Sequence, residues 1–385
     1  MPAMLPVPDD TVPRPAAILP SVSAALAGEA NQLGLPAARS AIIVLVDGLG
    51  ASNLSARAGH ARHLVGRMSR RDVIRTVFPS TTAAAITSFA TGEPPGVHGI
   101  VGYRVLEPES DRVVNQLNGW EAGLLPDGWQ RSTTWFEHAG ARDIRTVAVG
   151  AARYATSGFT RAVLRGAEYR AAATIADRVD AALDLISGAK PTIVYLYIPE
   201  LDQLAHSHGW ESERWLAALE TVDAELARLD RRLPNGVGLL VTADHGVVDV
   251  PAHRHVFVDD RPDLLDGIRH IAGEPRCLAL HLDASLPDSA RERLIDGWRD
   301  AEAGRSWVLT RDEALDAGLY APAGRIAPEV RGRIGDVLVA ARAGIAYYDR
   351  REANRTAEKM IGQHGSWTDE ESRVPLIRGG AFGRD

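Results

Sequence analysis

AIIVLVDGLG, at residues 41–50, is the stretch on which the reading of this chain turns. Six apolar residues run from 41 to 46 without a polar break and stop at Asp47-Gly48. Unbroken apolarity marks a strand covered on both faces, as in a parallel sheet packed between helices. The acid then stands at the carboxyl end of the strand, the edge where open α/β sheets build their sites. Two more stretches repeat the design: TIVYLYIPELDQLAH (192–206) places Asp202 and His206 after an apolar run, and GLLVTADHG (238–246) places Asp244-His245 after another.

Helix and strand signals alternate outward from these runs, so the expected fold class is α/β, a mainly parallel central sheet sandwiched by helices. A Pro-rich start leads to a helix near 21–33, and 73–77 reads as a second strand stopping at Phe78-Pro79. Ser80-Thr81-Thr82-Ala83-Ala84-Ala85 then reads as the capped entry to a helix. Residues 171–186 predict an amphipathic helix, 192–198 and 238–242 buried strands, and 211–233 a long helix with Trp215, Leu219, Val222 and Leu226 on one face. Residues 103–165 carry Gly, Trp and polar residues without sustained periodicity and read as an inserted, cap-like segment. The stretch 250–355, with strand-like runs at 277–282 and 336–341, reads as a second inserted subdomain. A chain of 385 residues exceeds one typical core, so a single large domain, 1–385, carrying both insertions is the expectation.

Composition narrows the chemistry. Cys277 is the only cysteine, which excludes an intrachain disulfide and a thiolate metal site, so any metal must rest on Asp, Glu, His and hydroxyl ligands. The start lacks a basic segment followed by a long apolar one, and no run approaches the roughly 18 apolar residues of a membrane span. A cytoplasmic location and no membrane span are therefore expected. The formal net charge is −7, with no clustered basic stripe, which argues against a nucleic-acid polymer as partner. Nothing in the composition fixes the oligomeric state.

Asp202 and His206 are spaced i, i+4, so a helical turn puts both on one face, where they can chelate one ion. Adjacent Asp244 and His245 can address one centre only through a sharp turn, which Gly246 permits. Each feature has an ordinary reading: Asp47-Gly48 is a turn dipeptide, His364 in Gly-Gln-His-Gly is a loop histidine, and Asp202 starts a helix. Jointly these readings leave unexplained why three strand ends carry Asp, Asp and Asp-His with a hydroxyl-rich helix start between them. A metal site is the leading reading. The residues alone do not choose a nucleophile among Ser80, Thr81 and Thr82.

The ordered set VDGLG, Pro-Ser-Thr-Thr before a helix ending in Ala-Thr-Gly, His-Gly-Ile-Val-Gly, Asp-x-x-x-His, Asp-His-Gly and Gly-x-His-Gly resembles the alkaline phosphatase superfamily. More closely it resembles the type I phosphodiesterase/nucleotide pyrophosphatase family. The likeness covers roughly residues 41–104, 192–250 and 360–377. It implies an alkaline phosphatase-like catalytic domain with one metal on Asp202, His206 and His364, and a second on Asp47, Asp244, His245 and the oxygen of the nucleophile. The family nucleophile lies three residues after a Pro and nine before the Thr of Thr-Gly. Counting from Pro79 and from Thr91 gives Thr82 both ways. The implied chemistry is two-metal hydrolysis of a small phosphodiester or pyrophosphate through a phospho-threonine intermediate. Zn²⁺ suits such nitrogen and oxygen ligands best, with Mn²⁺ or Co²⁺ as substitutes.

One departure bears on the substrate. Nucleotide pyrophosphatases of the family usually carry Asn after His-Gly-Ile-Val-Gly, where it donates to a phosphate oxygen; here Tyr103 stands there. Its hydroxyl can also donate, but it reaches further. A phosphonate hydrolase or phosphomonoesterase of the same superfamily is the alternative enzyme. An inactive metal- or phosphate-binding protein is the alternative of another class. The absence of Cys-x-Pro-x-Arg sets aside the sulfatase branch. Trp120, Trp129 and Trp135 read as core of the first insertion rather than as a stacking platform.

Overall fold

The computed structural model describes residues 8–384 apart from 10, 70, 121–124 and 126–127. Ser40–Val46 is buried at every position and forms the middle of a seven-stranded sheet. Thr192–Ile198 lies parallel to it on one side and Val237–Thr242 on the other, so the three apolar runs are neighbours in space. Arg145–Gly150 and Glu168–Ala171 extend the sheet in parallel beyond Thr192–Ile198. Beyond Val237–Thr242 the sheet takes Arg373–Gly380 antiparallel, and Val73–Arg75 pairs with that strand at the edge. The three central strands share one direction, so their carboxyl ends bring Asp47, the turn before Asp202, and Asp244 to one edge.

Helices flank this sheet and are held by the residues that the periodicity picked out. Glu213–Arg232 buries Trp215, Leu219, Val222, Leu226 and Leu229, and its start is capped by Ser212. Ile175–Ile186 opens on a capping box between Thr174 and Asp177. The first helix, Ile18–Leu26, is set earlier and shorter than the pattern over 21–33 suggests. Gly28, at φ 71, follows its end, and a left-handed residue there turns the chain out of the helix.

A second, six-stranded antiparallel sheet runs in the order Ser306–Thr310, Val337–Ala341, Cys277–Leu282, Ile268–Glu274, Arg104–Glu107, Arg112–Asn115. The stretches read from the sequence as separate insertions thus meet in one sheet. Arg145–Gly150, inside the first of them, instead belongs to the main sheet. Apolar residues from both stretches, among them Val105, Val114, Trp129, Cys277, Leu319 and Leu338, share a core with Phe78 and Trp367. That shared core seats the second sheet beside the helix entry at residues 80–82 and the loop carrying His364. No helix among the described residues is long and apolar enough to cross a membrane.

Candidate metal centre and active site

The strand ends converge as their sequence pattern implies. Asp47, Asp244 and His245 form one group, all buried, and Asp202, His206 and His364 form another; within each, one ligand atom per residue lies within 4.8 Å of the others. Asp202 and His206 project from one turn of the helix Glu200–His208, with Oδ2 and Nε2 3.3 Å apart. Gly48 lets the first strand pass close to that helix: at φ 73, a Cβ there would stand 3.1 Å from Cβ of Asp202. Gly246 works differently from the turn former expected, because its φ is not positive. A Cβ at that position would lie 2.0 Å from the carbonyl oxygen of Glu370, so only glycine fits beside His245.

Backbone carbonyls orient all three histidines. Nδ1 of His206 donates to the Gly362 carbonyl at 2.7 Å, Nδ1 of His364 to Ser80 at 2.9 Å, and Nδ1 of His245 to Gly246 at 3.1 Å. Each Nε2 therefore presents a lone pair inward, as metal-ligating imidazoles do. Nε2 of His245 lies 3.3 Å from Asp47 Oδ1 and 3.6 Å from Asp244 Oδ2. Nitrogen and carboxylate oxygens converging at that range suit a cation held between them. The rings of His245 and His364 stack at 3.6 Å, which brings the two groups together.

The carboxylates carry the same signature. Asp47 Oδ1, Asp202 Oδ1 and Asp244 Oδ2 are buried without a hydrogen-bond partner. Their other contacts are donors: the Tyr197 hydroxyl donates to Asp47 Oδ2, and the N–H groups of Gly48 and His245 donate to Asp244 Oδ1 at 3.2 and 3.0 Å. Burial, with Asp244 and Asp202 close by, pushes the Asp47 carboxyl well above the ordinary carboxylate range, and burial raises Asp244 too. Burial beside His245 and His206 keeps His364 neutral. Buried oxygens left bare are costly, and a neutral His364 imidazole beside crowded carboxylates suits a divalent cation. The residues fit two such ions.

Thr82 is the first residue of the helix Thr82–Thr91, and its Oγ1 lies 3.1 Å from Nε2 of His245. Of the three hydroxyls at this turn, Ser80 is buried in a scaffold. Its Oγ donates to the carbonyl of Ser366 at 2.7 Å and accepts from the N–H of Gly365 at 3.1 Å, tying the turn at residues 80–82 to the His364 loop. Thr81 is buried at the N-cap of that helix, and its side chain makes no capping bond. Of the three, Thr82 is the one whose hydroxyl meets a residue of the candidate metal groups, His245.

Tyr103 is half-buried in the wall of a groove that Glu274, Tyr347 and Tyr348 also line. Among the described residues its side chain has no hydrogen bond to either cluster. Trp129 serves packing: its Nε1 donates to Gln116 Oε1 at 2.9 Å, and the Arg333 guanidinium lies 3.4 Å over its ring. His98 orders its loop, with Nδ1 accepting from Ile100 at 3.1 Å, and burial takes its pKa down to about 3.

Residues 41–367 match the model of the family described as type I phosphodiesterase/nucleotide pyrophosphatase. The chain belongs to that family. Over 99 residues this phosphodiesterase-family chain is 33% identical to a venom phosphodiesterase of Macrovipera lebetinus, covering 24% of the chain and 12% of the relative. Over 217 residues it is 25% identical to venom phosphodiesterase 1 of Crotalus adamanteus, 53% of the chain and 24% of the relative. The match thus spans only a small part of these longer proteins. In fold it is similar to murine ectonucleotide pyrophosphatase/phosphodiesterase 5, with TM-score 0.68, 17% identity, and coverage of 89% and 88% of the two chains. It is also similar to phosphonoacetate hydrolase from Sinorhizobium meliloti 1021, with TM-score 0.67, 21% identity, and coverage of 89% and 91%.

Some residues of this family site give no sequence signal. Tyr197 is one more aromatic in a buried strand until its hydroxyl is seen on Asp47. Thr76, whose hydroxyl donates to the Asp244 carbonyl, sits beyond a short edge strand. Arg276 and Glu371 form a fully buried pair at 2.9 and 2.7 Å, and Glu371 also accepts from the N–H of Ser366 at 2.9 Å. The Glu371 carbonyl accepts from the N–H of Gly246 at 2.9 Å, so this pair braces the His245 and His364 loops together.

Proposed function

We propose that the protein is a two-metal hydrolase of small phosphodiesters or pyrophosphates acting through Thr82. The observation that carries this reading is the Thr82 hydroxyl set against His245 beside two groups able to hold a metal ion. Asp202, His206 and His364 would hold one ion; Asp47, Asp244 and His245, with Thr82, the other. Zn²⁺ suits these donors best. When bound, the ions supply electrophilic stabilisation, lowering the pKa of the Thr82 hydroxyl and offsetting charge on the departing oxygen.

The protein's own groups do the rest. Thr82 Oγ attacks phosphorus as the bond to the leaving oxygen breaks, the hydroxyl proton passing to that oxygen, and water then breaks the Oγ–P bond to release the phosphoryl product and restore the Thr82 hydroxyl. The N–H groups at the start of the helix Thr82–Thr91 face the phosphoryl oxygens. Three carboxylates against two divalent ions leave a net positive pocket in a chain of net charge −7, so the centre itself attracts the anion. Tyr103, in the wall of the neighbouring groove, would offer its hydroxyl to the substrate. Murine ectonucleotide pyrophosphatase/phosphodiesterase 5 is known as an inactive variant in complex with AMP, which supports a nucleotide among the diesters to try.

The test compares bis-p-nitrophenyl phosphate with p-nitrophenyl phosphate on Zn²⁺-loaded protein, with Thr82→Ala as control. Preference for the diester, lost in the variant, supports the reading. Preference for the monoester, or for a phosphonate such as phosphonoacetate, moves the protein to the other branch named by its structural likeness. Failure to bind metal leaves a phosphate-binding protein.

A further inference from the structure

Tyr103 lines the groove, yet among the described residues its hydroxyl makes no hydrogen bond. What holds this residue is its backbone. The strand Arg104–Glu107 begins at the next residue and pairs antiparallel with Arg112–Asn115. One step beyond that pairing, the N–H of Gln116 donates to the Tyr103 carbonyl at 2.7 Å. The backbone ladder stops there, because the N–H groups of Leu117 and Asn118 turn back to Asn115 Oδ1 at 2.8 and 3.2 Å. The Gln116 side chain supplies the next bond: its Nε2 donates to the Gly102 carbonyl at 2.6 Å. The amide is fixed in this orientation, since its Oε1 accepts from Nε1 of Trp129 at 2.9 Å and an indole N–H only donates. The Gln116 carbonyl accepts from Nε1 of Trp120 at 2.8 Å, and the residue is fully buried. Gly102 in turn lies against the start of the turn at residues 80–82: a Cβ there would stand 3.8 Å from Cγ of Pro79.

We propose that Gln116 is a positioning residue that fixes the Gly102–Tyr103 backbone, so that the Tyr103 hydroxyl is held in the groove wall as a donor to the substrate. The physical reasoning is geometric. A tyrosine hydroxyl sits at the far end of a rigid ring, so a small rotation of the backbone at its Cα becomes a large displacement of the donor. A hydrogen bond weakens steeply with such changes of distance and angle. Gly102, with no side chain of its own, would leave that rotation free, and the bond from the Gln116 amide removes it. A buried amide is costly unless it is bonded at both ends. Here one end is spent on Trp129 and the other on Gly102, so the tryptophans of the first insertion reach the site through a single residue. Both of their indole N–H groups end on Gln116, which gives them a use beyond packing.

This inference rests on the hydrolase reading, with Tyr103 as a substrate contact, and is tested on the Zn²⁺-loaded full chain. The readouts are KM and kcat for bis-p-nitrophenyl phosphate, with metal content. A neutral hydrogen bond is worth about fivefold in equilibrium, so Tyr103→Phe should raise KM about fivefold with kcat and metal content little changed. Gln116→Met nearly keeps the buried volume but removes the amide; it should raise KM by up to the same factor, again with kcat and metal content little changed. The double variant decides. Once the hydroxyl is gone there is no donor left to misplace, so Gln116→Met with Tyr103→Phe should show the KM of Tyr103→Phe alone. Independent effects, as a merely structural role for Gln116 would give, multiply to about twenty-five-fold. Gln116→Asn, whose amide is one carbon too short to span Trp129 and Gly102, repeats the comparison if the Met variant does not fold. Unchanged KM in Tyr103→Phe, unchanged KM in the folded Gln116 variant, or effects that multiply in the double variant would each overturn the assignment. A wild type that hydrolyses neither ester overturns the hydrolase reading itself, whereas an active wild type with any of those results overturns only the roles of Gln116 and Tyr103.

Discussion

Asp47→Asn should stabilise the metal-free protein and destabilise the metal-loaded one. In the metal-free site Asp47 and Asp244 are buried side by side and pushed upward in pKa chiefly by burial, with Asp202 adding its charge. Two carboxylate charges within 4.8 Å repel by about 3 kcal/mol at an effective dielectric constant near 20. Sharing a proton relieves part of this, which leaves a cost of about 2 kcal/mol near neutral pH. An amide at position 47 can still accept from the Tyr197 hydroxyl and removes the charge. At roughly 2.1 cal/mol/K of unfolding entropy per residue, the gain corresponds to a rise in Tm of about 2–3 °C. The sign of the pH dependence follows from the direction of the shift. A carboxyl whose folded pKa lies above its unfolded value costs stability at high pH, and the cost fades as pH falls through the folded pKa. The gap between variant and wild type in EDTA should therefore be widest at pH 8 and shrink toward pH 5. With Zn²⁺ the sign reverses, because a lost ligand charge weakens the binding that stabilises the folded state. Thermal melts by circular dichroism, with EDTA and with Zn²⁺ at both pH values, read all four arms. Metal-free Asp47→Asn melting at or below the metal-free wild type at pH 8 would refute the picture of a cation-requiring carboxylate pair.

Thr82→Ala should keep its metal content and melting temperature yet lose at least about a thousandfold in kcat on the diester, read by metal analysis alongside steady-state kinetics. Asp202→Ala should lower bound metal per chain in equilibrium dialysis, and activity should fall in proportion to occupancy. Arg276→Ala leaves the Glu371 carboxylate buried and unpaired, a loss of about 3–5 kcal/mol; a drop in Tm of about 4–6 °C is expected in thermal melts.

The parts of this molecule legible in its sequence are those where one residue's surroundings are set by its own strand or helix. Ser40–Val46, Thr192–Ile198 and Val237–Thr242 announce themselves because burial on both faces leaves no room for a polar residue, and Asp47 and Asp244 mark where that burial stops. The helix Glu213–Arg232 is legible from one apolar face and a serine cap. Arg145–Gly150 (RTVAVG) is a main-sheet strand that this logic misses, since a short run with Thr and Gly among its apolar residues does not stand out from a stretch rich in glycine and tryptophan. The second sheet is less legible still, because its strands come from stretches more than 150 residues apart and only their pairing, such as Gly273 with Arg104, makes them one structure. Glu274 and Arg276 show the limit in sharpest form. In the sequence they are two charged residues flanking Pro275 at a hairpin, and a hairpin charge ordinarily faces water. In the fold the hairpin is driven into the seam between the two sheets, where Arg276 braces Glu371 and Glu274 lies against Gly365. Charge at a buried tertiary seam is invisible to periodicity, which is why the clustered Asp and His residues at the strand ends could be read from the chain while the groups that brace the His245 and His364 loops could not.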